Sequence, residues 1–533
     1  MGTQGKKQPA RRLPGEKQAG TQAQEAEQRA GSKLEQVQVE GLGRLRFVVG
    51  DRERLHIGQQ PLKRYLEEVG LGWVVKLGEW LEELDWGGFY RAYKPGGRAA
   101  LHPRLMMGLV VYGLLNKQWG LRPLEQLARR DVGAWWLCAG EQPDHSTLGR
   151  FCLLHLELLT EEFFLEVTRK VLRVVGARAG LVAGDGTVVE AAAGLASLVK
   201  QTALEQAAAQ ARQRAEAEPD NAGAQRRAAT LTQAQEVLGE RQRAREQVGK
   251  PGESVQVSSS EPEAMVQPRK DGPVRPSYKP CLLVHEKRII IGQTLHPSSE
   301  TASLEALLMQ HGQLMQELPV QLLLDAGFFS LGVLRTCVEA GVDVLCPSGK
   351  AQGEEDFERK GHKGLWARSV FRYDEASDSY RCPAGADLTA GRLQHDGQGR
   401  GYREYRTAAC SGCPLRQQCT QAERGRKLKR FEGDELKEAM ERVLRQPAAR
   451  ALYRRRCAVV EPVFAELKER QGLRRFHRRG LRKVAMELAL HCIAYNLKRA
   501  LGSQGVLVQV FLLARLPGLP WRLVASALLL YAP

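Results

Sequence analysis

No uncharged apolar run in this sequence is long enough to cross a membrane. The most apolar stretch, Val506 to Pro533, is broken by Arg515 and Arg522 and by Pro517 and Pro520. Its pieces of about ten residues fall short of the roughly 20 that span a bilayer. The first residues are basic but carry no apolar block ahead of a small-residue cleavage site, so no secretory signal is expected. Cysteine is too sparse for a disulfide framework: there are eleven in 533 residues. Seven of them (Cys138, Cys152, Cys281, Cys337, Cys346, Cys457 and Cys492) stand singly among apolar neighbours, as buried thiols in a reducing cytoplasm do. Acidic residues are too few for neutrality, since 61 Asp+Glu against 79 Lys+Arg leave a net charge of +18. A membrane-spanning or disulfide-stapled class is therefore excluded. A cytoplasmic protein with a polyanionic partner is expected, nucleic acid first and an anionic membrane surface second.

What is present is unevenly placed. Gln421 to Ala500 holds 22 Lys/Arg and 10 Asp/Glu, two-thirds of the whole excess of positive charge. The length calls for two or three domains. Residues 1–44 are rich in Gln, Ala, Gly and Lys with almost no large apolar residues, which predicts a disordered basic leader. From 45 to 177 the apolar spacing is helical. Leu101–Leu115 bunches its apolar residues on one side with Pro103 in the first turn, Pro123–Arg130 reads as a second helix, and Asp144, Ser146 or Thr147 offers a cap for a third. From 178 to 348 short β-prone runs alternate with helices, an α/β layer. A Gln/Ala/Arg-rich helical hairpin at 199–248 looks inserted into it. Residues 349–430 interrupt with clustered cysteines, 431–503 are helical and basic, and 504–533 form an apolar tail.

Three acidic residues stand out. Asp185 ends a strand in "GLVAGDGTVVEAAAG", Asp325 ends the most apolar strand in "VQLLLDAGFFS", and Glu461 lies in the basic helix "YRRRCAVVEPVFAELKER". Carboxylates at the ends of adjacent parallel strands occupy the ligand-binding edge of an open α/β sheet. With a third from a flanking helix they form an oxygen-ligand set suited to Mg²⁺. Two such ions about 3.5–4 Å apart clamp the attacking and leaving oxygens of a phosphodiester displacement. Taken one at a time, the same residues also fit a turn, a helix cap and a solvated charge.

The blocks "GDGTVVEAAA", "LLLDAGFFS" and "YRRRCAVVEPVFAELKERQGLRRFHRRGLRKVAMELALHCIAYNLKR" together resemble the DDE transposases of bacterial insertion sequences, within them the subgroup with a cysteine-bearing insert before the glutamate. The helical segment adds "FYRAYKPGGRAALHPRLMMGLVVYGLL" and "PDHSTLGRF". The resemblance implies an α/β, RNase H-like catalytic core, an all-helical N-terminal DNA-binding domain and a small cysteine-rich β insert. It maps the catalytic triad onto Asp185, Asp325 and Glu461, holding Mg²⁺ or Mn²⁺, and implies cleavage of element ends and their joining to target DNA. It also implies double-stranded DNA (terminal inverted repeats and target) as partner, a homodimer on DNA, and a cytoplasmic, nucleoid-associated location. Tyr453, Arg456 and Lys468 around the glutamate are the DNA contacts it suggests. At 100° per residue Lys468 lies within about 20° of Glu461 and Arg456 about 140° away. The sequence departs from the family where "SYKPCLLVHE" places Lys279 and His285, and where Glu261 stands in "SSSEPEA". The alternative is an inactive or domesticated DNA-binding protein that uses the same basic surface.

Two further features carry chemistry. Cys382, Cys410, Cys413 and Cys419 are spaced C-x27-C-x2-C-x5-C, and four thiolates with one CxxC pair can close a structural Zn²⁺ site. "LRRFHRRGLRKV" (473–484) follows the glutamate with six Lys/Arg of uniform sign. Arg474, Arg475, Arg478 and Arg479 are the expected phosphate contacts, with Phe476 and His477 interleaved.

Overall fold

A computed structural model describes residues 33–514, apart from 248, 270–271, 350–364, 367 and 398. They form two compact units, one ending at Leu159 and one beginning at Thr160.

The first unit is not all-helical. Leu34–Val39 and Gly43–Val48 form an antiparallel hairpin, and Ala100–Leu101 adds a parallel strand to it. The expected leader therefore ends earlier than residue 44. Residues 1–32 lie outside the described residues, but the hairpin uses the period-two alternation of "GRLRFV", which buries Leu45 and Phe47 and exposes Arg44 and Arg46. Polar composition hid that alternation. Helices dominate the rest. Pro103–Leu115 is buried almost all round, with His102 as its cap and Pro103 at its first position. Leu121–Arg130, Val132–Leu137 and His145–Leu154 pack around it or each other. Asp144 caps the last of these through Thr147 N at 2.6 Å.

The second unit is built on a mixed sheet. Its strands Leu181–Gly186, Gly272–His285, Ile290–His296, Gln321–Leu324 and Val344–Leu345 lie in the spatial order third, second, first, fourth, fifth. The first, fourth and fifth run parallel, while the second is antiparallel to the first and third. Two segments hang from this layer, each with its own small core. Gln201–Ala217 and Ala222–Gln247 form the helical hairpin, closed by Leu204, Leu231, Leu238 and Val257. Arg372–Asp374, Ser379–Arg381, Asp387–His395, Gly401–Arg406 and Leu428–Phe431 make an antiparallel meander around Phe371, Tyr380, Leu388 and Tyr405.

Three helices follow: Asp434–Arg445, Pro447–Ala465 and Leu481–Ala514. The last runs past residue 503, where a separate tail was expected; the rest of that tail lies outside the described residues. It packs on the edge strand Ile290–His296 together with Glu162–Val174. There Asn496, fully buried, accepts from Ile290 N at 2.9 Å and donates to Ile290 O at 2.8 Å and to Thr168 Oγ1 at 3.1 Å. One amide thus does for an edge residue what a further strand would do. Among the described residues no helix is long and apolar enough to cross a membrane.

Asn496→Ala should orphan two buried backbone groups and cost about 2–4 kcal/mol, read as a lower urea midpoint at unchanged slope. A loss below about 1 kcal/mol would mean that water replaces the amide.

Candidate active site

The sheet sets the spacing of the first two acidic residues. Leu181–Gly186 is buried through Gly184 and pairs in parallel with Gln321–Leu324, so that Leu324 lies opposite Gly184. The next residue on each strand is an aspartate, and Asp325 N donates to Gly184 O at 3.3 Å. A Cβ on Gly184 would stand 2.5 Å from Cδ2 of buried Leu324, so a side chain there would force the core to shift. Asp185 is the more enclosed, with 16% of its side chain exposed against 39% for Asp325.

One cation joins the two carboxylates. Arg456 Nη2 lies 2.8 Å from Asp325 Oδ1 and 3.6 Å from Asp185 Oδ1. The Asp185 carboxyl is pushed up to about 6: burial raises it, Arg456 opposes, Asp325 raises it, the Gly186 N–H opposes, and Glu300 raises it again. Tyr453 reaches the same place from one turn earlier on the helix, its hydroxyl donating to Leu324 O at 3.2 Å. Both residues were expected to face DNA; both turn into the fold instead. The reason is local: Arg456 is buried, and two carboxylates are the nearest groups able to satisfy its charge.

Glu461 is placed differently. The face that Arg456 turns inward continues through Val459, Val460 and Val463, and Glu461 is exposed. It is on the same helix but about 140° round from Arg456, so the expected meeting of three carboxylates is not made. Among the described residues, no three His, Cys, Asp or Glu side chains stand where they could hold a metal ion. Pro462 has no N–H for the Ala458 carbonyl four residues back, and Arg288 Nε donates to that carbonyl at 3.2 Å instead. Beyond Ala465 the helix widens into a π-helical turn, Glu466–Arg470. That turn breaks the 100° phase from which Lys468 was aligned with Glu461. Lys468 Nζ donates to Thr187 Oγ1, two residues beyond Asp185. The glutamate therefore sits between two anchors, Arg456 before it and Lys468 after it, both tied to the aspartate-bearing strand ends.

The basic stretch is partly spent on the fold. Leu473 and Phe476 are buried, Phe476 edge-on to Tyr278. Arg475 runs beside Glu190 and donates from Nε to Ala191 O at 3.1 Å and from Nη2 to Ala192 O. Arg474 pairs with exposed Glu469. The buried Glu487 carboxylate accepts from the His477 and Arg478 amides at 2.9 Å, which fixes the loop. Arg474 and Arg479 are exposed, and Arg478 is half-buried.

One acidic residue was missed. Glu300, 6% exposed, pairs with Lys279 at 2.7 Å and lies against the glycines that follow the two aspartates, Gly186 and Gly327. Nothing in the sequence marked it, since the two glycines read there as part of a turn and of a helix cap. The four clustered cysteines line one small cavity with Trp366, Phe371, Leu388 and Arg426. Burial pushes the Cys419 thiol up, Arg426 opposes, and Cys410, Cys382 and Cys413 add to the rise.

Two family models match the chain. Residues 74–153 match a transposase domain (DUF772), and residues 381–501 match a transposase DDE domain. The second match spans the four cysteines, Arg456, Glu461 and Lys468. Asp185 and Asp325 lie outside both, and their pairing rests on the sheet alone. No curated protein and no solved structure matches the chain. With a match to a transposase domain in its first unit and a match to a transposase DDE domain over its glutamate-bearing helix, the chain is similar to the DDE transposases of insertion sequences, and the two matches support that family.

Proposed function

We propose that the protein cuts the ends of its own element and joins them to target DNA, on an RNase H-like core whose catalytic residues are Asp185, Asp325 and Glu461. One observation carries this reading: two aspartates at the ends of adjacent parallel strands share a single positive charge, that of Arg456. A place where a guanidinium bridges two carboxylates suits a small divalent cation, because the ligands are hard oxygens and the charge is already negative. The strand order third-second-first-fourth-fifth, antiparallel only at the second strand, supports the RNase H-like reading.

Asp185 and Asp325 would hold the ion, Mg²⁺ or Mn²⁺; Glu461, which does not stand with them among the described residues, would have to turn toward them to complete its ligands. When bound, a pair of such ions supplies the charge that favours an attacking oxygen and offsets the leaving one. The chain's own part is separate. Arg456 now pairs with both carboxylates; were they to hold a cation, its guanidinium would be available to a phosphate of the scissile strand. Lys468 and Tyr453 keep the glutamate helix on the strand ends while it adjusts. Water attacks the phosphodiester at the element end and its P–O3′ bond breaks, and the freed 3′-OH then attacks a target phosphodiester, displacing a 3′-OH of the target strand. Two copies of the chain on paired element ends complete the proposed assembly.

A structural zinc in the meander is a further proposal: the four thiols line one small cavity, although among the described residues no three such side chains stand in a metal-holding arrangement. Cys382, Cys410, Cys413 and Cys419 would be its ligands, which leaves no open position for water.

Three measurements test these readings. Asp185→Asn, Asp325→Asn and Glu461→Gln should each lower Mg²⁺-dependent nicking and joining of element-end DNA by at least about a thousandfold, without adding when combined. DNA binding should survive in all three, since no phosphate-binding cation is removed. Near-normal nicking by any one of them sinks the triad. For the basic stretch, Arg474→Ala with Arg479→Ala should flatten the slope of log K against log salt by about 2; an unchanged slope would place the DNA path elsewhere. Arg475→Ala should instead lower stability, because its donors hold Ala191 and Ala192. Metal analysis of protein prepared without chelator should find about one zinc per chain, lost in Cys413→Ser; metal-free wild-type protein would rule the zinc out.

A further inference from the structure

Resting on the cation-site reading above, we propose that Glu300 is a positioning residue of the active site, wedged beneath the two catalytic aspartates to fix their spacing and to add negative charge under them. Glu300 follows the edge strand Ile290–His296 and precedes the helix Leu304–Met315, far in sequence from either aspartate. Its carboxylate nonetheless reaches both strand ends. A Cβ on Gly186, the residue after Asp185, would stand 2.7 Å from Glu300 Oε1. A Cβ on Gly327, two residues after Asp325, would stand 1.4 Å from Glu300 Oε2. A side chain at either position would force Glu300 to move, so the glycines of "GDG" and "DAG" both leave room for the same carboxylate.

The charge of this carboxylate is only half answered. Oε1 meets Lys279 Nζ at 2.7 Å, while Oε2 is buried with no hydrogen-bond partner. A buried, unpaired carboxylate oxygen is costly, and a neutral residue of the same shape would avoid that cost. A charge kept there, directly below Asp185 and Asp325, raises the pull of that pair on a cation. Glu300 acts through the aspartates and not on the reacting atoms. Lys279, a departure from the family pattern in the sequence, is its counter-charge.

The test uses the full-length protein without DNA and reads Mn²⁺ binding as thermal stabilisation, with Mn²⁺ spin resonance as a direct count of bound ion. E300Q keeps the wedge and removes the charge. It should melt near wild type without metal, yet need about three- to tenfold more Mn²⁺ for the same stabilisation. E300D keeps the charge and should stay within about twofold of wild type. If E300Q does not fold, Gly327→Ala gives the same reading from the other side, since its methyl displaces the carboxylate without changing the charge of the chain. A wild-type Mn²⁺ requirement in E300Q, or in Gly327→Ala where that replaces it, overturns the proposal. So does an E300D as weak as E300Q, which would leave shape as the whole effect. Asp185→Asn in the same assay separates the two levels. If it binds Mn²⁺ as wild type does, the cation-site reading itself fails. If it loses Mn²⁺ while E300Q keeps it, only the role of Glu300 fails.

Discussion

The pairing of Leu181–Gly186 with Gln321–Leu324 is the constraint on which the rest of this site depends. Parallel register with Leu324 opposite Gly184 puts two aspartates side by side at one sheet edge. Like charges so placed repel, and burial makes the repulsion stronger. The fold therefore needs positive charge above the pair, and Arg456 supplies it from a helix far along the chain. Burial above all, with Asp325 beside it, pushes the Asp185 carboxyl up to about 6 although Arg456 opposes the rise. The glutamate helix is held in place by the same requirement, because the residue that docks it is the residue that neutralises the aspartates.

Much of this was legible in the sequence, and the reasons differ by element. The aspartates could be read because each ends a short apolar run, and strands of a parallel sheet place such residues at one edge. The angle between Arg456 and Glu461 was also readable, because that stretch is regular helix; it foretold that the two could not face the same way. The alignment of Lys468 rested on a 100° step that the helix does not keep. Glu466–Arg470 is a π-helical turn, and nothing in "AELKER" marks where the helix widens. The N-terminal hairpin was hidden by composition, since Leu34–Val39 is polar enough to pass as leader and only its partner strand carries the buried residues. Glu300 was unreadable for a different reason. Its role exists only once the sheet has folded and brought two distant glycines against one side chain.

Counting charges gave the location of the basic surface but not its composition. A guanidinium has five donors, and backbone carbonyls compete with phosphates for them. Arg475 is won by Ala191 and Ala192, and Arg456 by carboxylates, although in sequence neither differs from its neighbours. Phe476 is likewise core and not a base-stacking ring. Uniform sign along a stretch says that a polyanion is favoured nearby. Which residues are left to meet it is decided by the unpaired carbonyls and carboxylates that the fold presents first.

The two large additions to the sheet fit the same economy. The hairpin Gln201–Gln247 and the cysteine-bearing meander each close on a core of their own, the hairpin between the sheet's first and second strands and the meander after its fifth. A long insertion adds little loop entropy to such a pairing, so neither disturbs the register that sets the aspartates. The glutamate helix comes after both, and it would be free to drift if the sheet edge offered it nothing. It is fastened at three points that all lie on the two strand ends: Leu324 by Tyr453, the aspartate pair by Arg456, and Thr187 by Lys468. Two of these end on neutral acceptors, a carbonyl and a hydroxyl, and one on the aspartate pair. The charged contact is thus flanked on both sides by hydrogen bonds that hold the helix to the strand ends without it.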